Sequence, residues 1–132
     1  MRTLGWSEIS PGGAPFHAAR VRRPRGEGVH AHRDFSEAFL VVAGTGRHLG
    51  IGEELREGDL RLIDRHAVHG FEGDLEFVNI AFPGEAPWGS ATRSLAGAER
   101  FGPIFARALA DAARPTPARL MRFLGCLLAE IE

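Results

Sequence analysis

The chain has no lysine, a single cysteine (Cys126) and a single asparagine (Asn79) among its 132 residues. One cysteine allows no intrachain disulfide, so a buried core must hold the fold, and a reducing compartment, the cytoplasm, is the expected setting. No nucleophile–base arrangement surrounds Cys126, so it reads as an inert thiol. The N-terminal stretch Met1–Trp6 has no apolar signal core, and no hydrophobic run approaches membrane-spanning length. Internal repeats and low-complexity segments are also missing. With lysine absent, all 16 basic residues are arginines, set against 17 acidic ones for a formal charge of −1. That balance carries neither the basic footprint of a nucleic-acid binder nor a polybasic membrane anchor. The small cluster Arg20, Arg22, Arg23 and Arg25 reads as a solvated face.

What is present is enough for one globular domain. At 44% hydrophobic residues, a chain of this length can bury a sizeable core. Two unlike stretches divide it, residues 1–85 and residues 86–132. The first is rich in glycine turns and short β-prone runs, with strands expected at Phe16–Val21, Val29–His32, Ala38–Ala43, Arg47–Ile51, Leu60–Ile63, His69–Phe71 and Leu75–Phe82. Gly44-Thr45-Gly46, Gly52-Glu53-Glu54 and Glu72-Gly73-Asp74 read as the turns between them. Many short strands at regular spacing predict a barrel or sandwich. The run Ala38–Ala43 is apolar on both faces, as only a well-covered strand can be.

From residue 86 the period changes to that of helices. Phe101, Ile104, Phe105, Ala108, Leu109 and Ala112 form one stripe, and Leu120, Phe123, Leu124, Leu127, Leu128 and Ile131 a second. Arg114-Pro115-Thr116-Pro117 separates them, with Thr116 as N-cap and Pro117 at the first helical position. The last stripe is wide enough to bury against the other helix and also against a partner chain.

The densest chemistry lies at His30-Ala31-His32 and the residues after it. Two histidines one residue apart on a strand share a face, about 7 Å apart along it. Glu37 from the next strand and His69 from a later one could converge there. Three imidazoles and a carboxylate suit a divalent transition metal such as Zn, Fe, Mn or Ni, leaving one or two positions open. The same four groups could instead satisfy one another, or a ligand, through hydrogen bonds. Three further residues are candidates for ligand contact. His48 lies on the strand after Gly44-Thr45-Gly46, Asn79 stands alone in the apolar run Phe77–Phe82, and Trp88 could close the barrel mouth. His66 reads as a turn residue, and the face of His17 is open.

These residues carry a resemblance. His30-x-His32-x4-Glu37-x6-Gly44 resembles the first motif of cupins, and Gly58-Asp59 with His69 the second. Glu57 departs from the usual proline, Asp64 and His66 replace a proline and a glycine, and Gly73 stands where asparagine is common. The resemblance implies a jelly-roll β-barrel followed by the two helices, with His30, His32, Glu37 and His69 as metal ligands. More narrowly, residues 28–83 resemble the effector-binding domain of AraC-type transcription regulators, in the stretches His30–Glu37, Val41–His48, Gly58–Ile63 and Phe77–Pro83. That likeness implies a small polar effector, often a sugar, a homodimer formed through the C-terminal helices, and a separate DNA-binding domain. No such domain lies within these residues, so this chain alone is not expected to bind DNA. Either it is the sensor half of a longer regulator, or it is a stand-alone cupin whose metal serves a dioxygenase, isomerase or lyase. No second catalytic group is evident beside the four ligands.

Overall fold

A computed structural model describes residues 1–132. The chain is mainly β, with eight strands and a C-terminal helical pair. In order these are β1 (Arg2–Leu4), a one-turn helix α1 (Trp6–Ile9), β2 (His17–Arg23), β3 (Glu27–His32), β4 (Phe35–Leu49), β5 (Glu53–Arg56), β6 (Leu60–Ile63), β7 (Val68–Pro83) and β8 (Arg93–Leu95). A 3-10 turn (Glu99–Phe101) then leads into α2 (Gly102–Asp111) and α3 (Pro117–Ile131).

β4 and β7 are the spine, paired antiparallel from Phe35↔Pro83 to Leu49↔Gly70. The first half of β4 also pairs with β6, and its second half with β5. β7 likewise pairs with β3 near its start and with β2 further on. Each long strand therefore passes from one face of the barrel to the other. One face reads β2-β7-β4-β6-β8, and the other β1-β3-β7-β4-β5. This is the two-faced jelly roll of a cupin-type barrel.

The crossing explains where the turn assignments fail. Gly44-Thr45-Gly46 and Glu72-Gly73-Asp74 are not hairpin ends; they face each other as bends inside β4 and β7. A bulge between Val41 and Ala43 precedes the bend, adding the local twist that lets a strand turn a corner. Gly44 has φ +90°, and a Cβ there would lie 2.1 Å from the Asp74 carbonyl oxygen. Only glycine fits such a position. The strands expected at 38–43 and 47–51 are thus one strand, as are those at 69–71 and 75–82. The hairpin turn falls at Gly50-Ile51-Gly52, and Glu53 and Glu54 belong to β5.

Alternation sorts the side chains. Phe39, Val41, Leu55, Ile63, Phe71, Leu75 and Phe77 pack together as one buried cluster, three of them (Phe39, Phe71, Phe77) lining the cavity inside the barrel. Ala38, Leu40, Leu60, Leu62, Val78, Ile80 and Phe82 point the other way and pack under Phe101, Phe105, Ala108, Phe123, Leu124 and Leu127 of the C-terminal segment. The doubly apolar run of β4 is dry on both faces for this reason: core on one side, helices on the other. Thr116 caps α3, its hydroxyl accepting the Arg119 N–H at 3.2 Å, with Pro117 at the first helical position. No helix is long and apolar enough to cross a membrane.

Candidate metal centre

His30 and His32 leave β3 on the same face, as a period of two requires. β3 pairs with β7 so that His30 lies directly opposite His69. Glu37, near the start of β4, sits between Ile63 of β6 and Ala81 of β7. All four are buried, and one ligating atom from each lies within 4.8 Å of the others. Nε2 of His32 is 3.1 Å from Nε2 of His30 and 3.2 Å from Nε2 of His69. Oε1 of Glu37 is 2.9 Å from His69 Nε2 and 3.3 Å from His32 Nε2.

The far side of each ring shows which nitrogen faces the centre. His30 Nδ1 lies 2.9 Å from the Gly28 carbonyl oxygen. A carbonyl only accepts, so Nδ1 carries the proton and a neutral ring turns its bare Nε2 inward. His32 stacks on Phe35 at 4.2 Å between centroids, which fixes its plane. His69 Nδ1 meets His48 Nε2 at 3.2 Å. His66, in the left-handed region at φ 77°, donates its backbone N–H to the His32 carbonyl at 2.8 Å and ties down the end of β3.

Charge follows from these contacts. Burial pushes the Glu37 carboxyl up, but the His69 hydrogen bond and the surrounding imidazoles outweigh it and hold the group at about 2. Burial lowers His32 to about 4; Glu37 opposes that, and the charges of His69 and His30 add to it. At neutral pH Glu37 is ionised and His32 neutral, so the carboxylate has no charge on His32 to balance it. Bare imidazole nitrogens converging with an anion repel one another unless a proton or a cation sits between them. The residues present thus fit a divalent transition ion.

The cluster lies in the wall of a cavity of about 170 Å³. β2 contributes His17, Ala19, Val21 and Arg23 to its lining, alternate residues whose period of two was open to reading in the sequence. Glu27 enters the lining although it is out of phase with His30, because β3 bulges between them. Asn79 lines the cavity, and its Oδ1 is buried without a hydrogen-bond partner. His48 lies behind His69, outside the lining. Trp88 is placed elsewhere: its ring packs edge-on to Phe82 at 5.6 Å in the core beneath the helices.

Topology and cluster together define the class: a cupin-type β-barrel with a buried site of three histidines and one carboxylate. No protein-family model matches the chain, and no curated protein matches it. Among solved structures the chain is similar to a predicted oxalate decarboxylase from Thermotoga maritima, with 24% identity and a TM-score of 0.46, over 58% of this chain and 73% of that one. It is also similar to variants of the oxalate decarboxylase of Bacillus subtilis. Two of these show 20% identity and TM-scores of 0.43 and 0.44, over 59% and 67% of this chain but only 24% and 26% of theirs.

Proposed function

We propose that the barrel holds a divalent transition metal, one of Zn, Fe, Mn or Ni, through His30, His32, Glu37 and His69, and binds a small oxygen-donor molecule beside it. One observation carries this reading: four buried donor atoms within 4.8 Å of one another, open on one side to a cavity. At about 170 Å³ the cavity falls below the usual range for drug-sized ligands. It suits a molecule of a few carbons, such as a small organic acid or a compact polyol. When bound, the ion supplies Lewis-acid polarisation of a ligand oxygen. The chain itself supplies Asn79 for a hydrogen bond within the cavity, and Arg23, His17 and Glu27 as further polar groups in its lining.

A second reading, effector sensing, is favoured by the two faces of β7. Phe77, Asn79 and Ala81 line the cavity, while Val78, Ile80 and Phe82 lie under the helices. A ligand that prefers one setting of this strand shifts the packing of α2 and α3. In that reading the barrel is the effector-binding part of an AraC-type transcription regulator, the effector a sugar or another small polar molecule. Copies associate through α3, and DNA contact lies in a segment other than residues 1–132.

Metal analysis of purified protein against His32→Ala and His69→Ala tests the centre. The expected outcome is near-stoichiometric metal in the wild type and its loss in both variants. Equal content in all three rejects the ligand set. A thermal-shift panel of small acids and sugars, with and without chelator, then tests the cavity, because a ligand bound only by the folded state raises the midpoint. A compound that stabilises and is chemically altered points to catalysis; one recovered unchanged points to sensing.

A further inference from the structure

His48 is the most deeply buried titratable residue near the centre, at 0% exposure, and it touches neither the cavity nor the converging donor atoms. Its Nε2 has one polar neighbour, His69 Nδ1 at 3.2 Å, with the two rings perpendicular. Its Nδ1 has none. Around it are Phe39, edge-on at 5.9 Å, and Phe71, its partner across the β4–β7 ladder. A phenyl ring would fill this apolar site with no orphaned nitrogen, whereas an unpaired buried polar atom costs about 1–3 kcal/mol. Packing therefore gives no reason for an imidazole here. The contact with His69 does.

His69 has two nitrogens and, when neutral, one proton to place. Without a cation, Glu37 Oε1 at 2.9 Å from Nε2 decides the matter, because a carboxylate only accepts. The His69 proton then sits on Nε2, Nδ1 is bare, and His48 donates its Nε2–H to it. To ligate, His69 must present a bare Nε2, so its proton must sit on Nδ1. His48 must then accept, with its own proton on Nδ1. A residue that can only donate or only accept at this point would favour one of the two states. Imidazole serves both.

We propose, on the strength of the metal reading above, that His48 is a positioning residue that sets the tautomer of His69 through a paired switch. Both rings carry Nε2–H without a cation and Nδ1–H with one. The balance is closed: His69 releases its Nε2 proton, His48 passes its Nε2 proton to His69 Nδ1, and His48 takes up one proton on Nδ1. One proton leaves and one enters, so no net proton is consumed.

The test uses zinc alone as the probe, titrated by chelator competition into metal-free wild type, His48→Phe, His48→Gln and His32→Ala. Removing an outer hydrogen bond to a ligating histidine typically costs about 10–100-fold in metal affinity, and that loss is expected for His48→Phe. His48→Gln offers both an acceptor and a donor, and is expected to stay within about threefold of wild type. Nitrogen-15 NMR of the wild-type rings is expected to show His48 and His69 changing together from Nε2–H to Nδ1–H as zinc is added. Unchanged zinc affinity in His48→Phe, or a His69 that keeps Nε2–H in the zinc-loaded protein, overturns the proposal. So does a purely structural signature, a lowered melting temperature of metal-free His48→Phe with normal zinc affinity. If wild type itself binds no zinc, the metal reading falls and takes this inference with it. If zinc is lost in His32→Ala but retained in His48→Phe, only the inference falls.

Discussion

An imidazole kept neutral by burial becomes a liability in acid. His32 is held at about 4 by burial, against the pull of Glu37. His48 is held at about 3, first by burial and then by His69 and Arg61, again against Glu37. The unfolded chain takes up these protons near the ordinary value of 6.5, and the folded chain does not. Above that pH the two states bind equally and stability is complete. As pH falls from 6.5 towards 4, the unfolded state gains protons and the metal-free fold loses stability, with a slope approaching about two protons. Urea midpoints of chelator-treated protein between pH 7.5 and 5 are expected to fall continuously, and less steeply in His48→Phe. A flat profile over that window would show that the rings are not held neutral. Glu37 adds its own loss only below its ordinary 4.5. Much of the site is legible residue by residue: His30 and His32 from their spacing, Glu37 and His69 from the motif they complete. The pairing of His48 with His69 is not, because it depends on how the second half of β4 swings over β7. Glu27 is hidden by a bulge that reverses the parity of its strand.

Among the elements, the two long strands hold the barrel's shape at their bends. Gly73 mirrors Gly44, with φ +105° and a would-be Cβ 2.5 Å from the Thr45 carbonyl oxygen. Gly44→Ala would place a methyl group 2.1 Å from backbone in a conformation that L-residues avoid. It is expected to cost about 3 kcal/mol or more, read as a lower urea midpoint; a loss below about 1 kcal/mol would mean the bend relaxes freely. The same glycines show why local reading stops short here. A glycine with positive φ marks a hairpin end and a bend inside a strand with the same residues, and only the pairing of Gly44 with Leu75 separates the cases. β1 and β8, three residues each, are too short to show a period at all. The helices lie at the other extreme. Their stripes and the Thr116 cap are local signals, and burial of Phe105, Phe123 and Leu127 follows directly from them.

At the scale of the molecule, one apolar cluster runs from the outer face of the barrel through both helices, so the helical pair has no core of its own apart from the barrel. Trp88 sits inside that shared cluster, while Trp6 packs with Phe35, which stacks on His32 of the histidine–glutamate cluster. In Trp6→Phe and Trp88→Phe, the remaining tryptophan's fluorescence midpoint is expected to coincide with the same variant's far-ultraviolet circular dichroism midpoint, as in two-state unfolding. A helical pair that came away first would split the two in the variant retaining Trp88. The shared strand β7 also constrains how such a chain can change over generations. Successive residues from Phe77 to Phe82 serve the cavity and the helical cover in turn, so a substitution that reshapes one pulls on the other through a shared backbone. Ligand preference and helix packing cannot drift independently. A lineage acquiring a new ligand would carry compensating changes in α2 and α3, far from any atom the ligand touches.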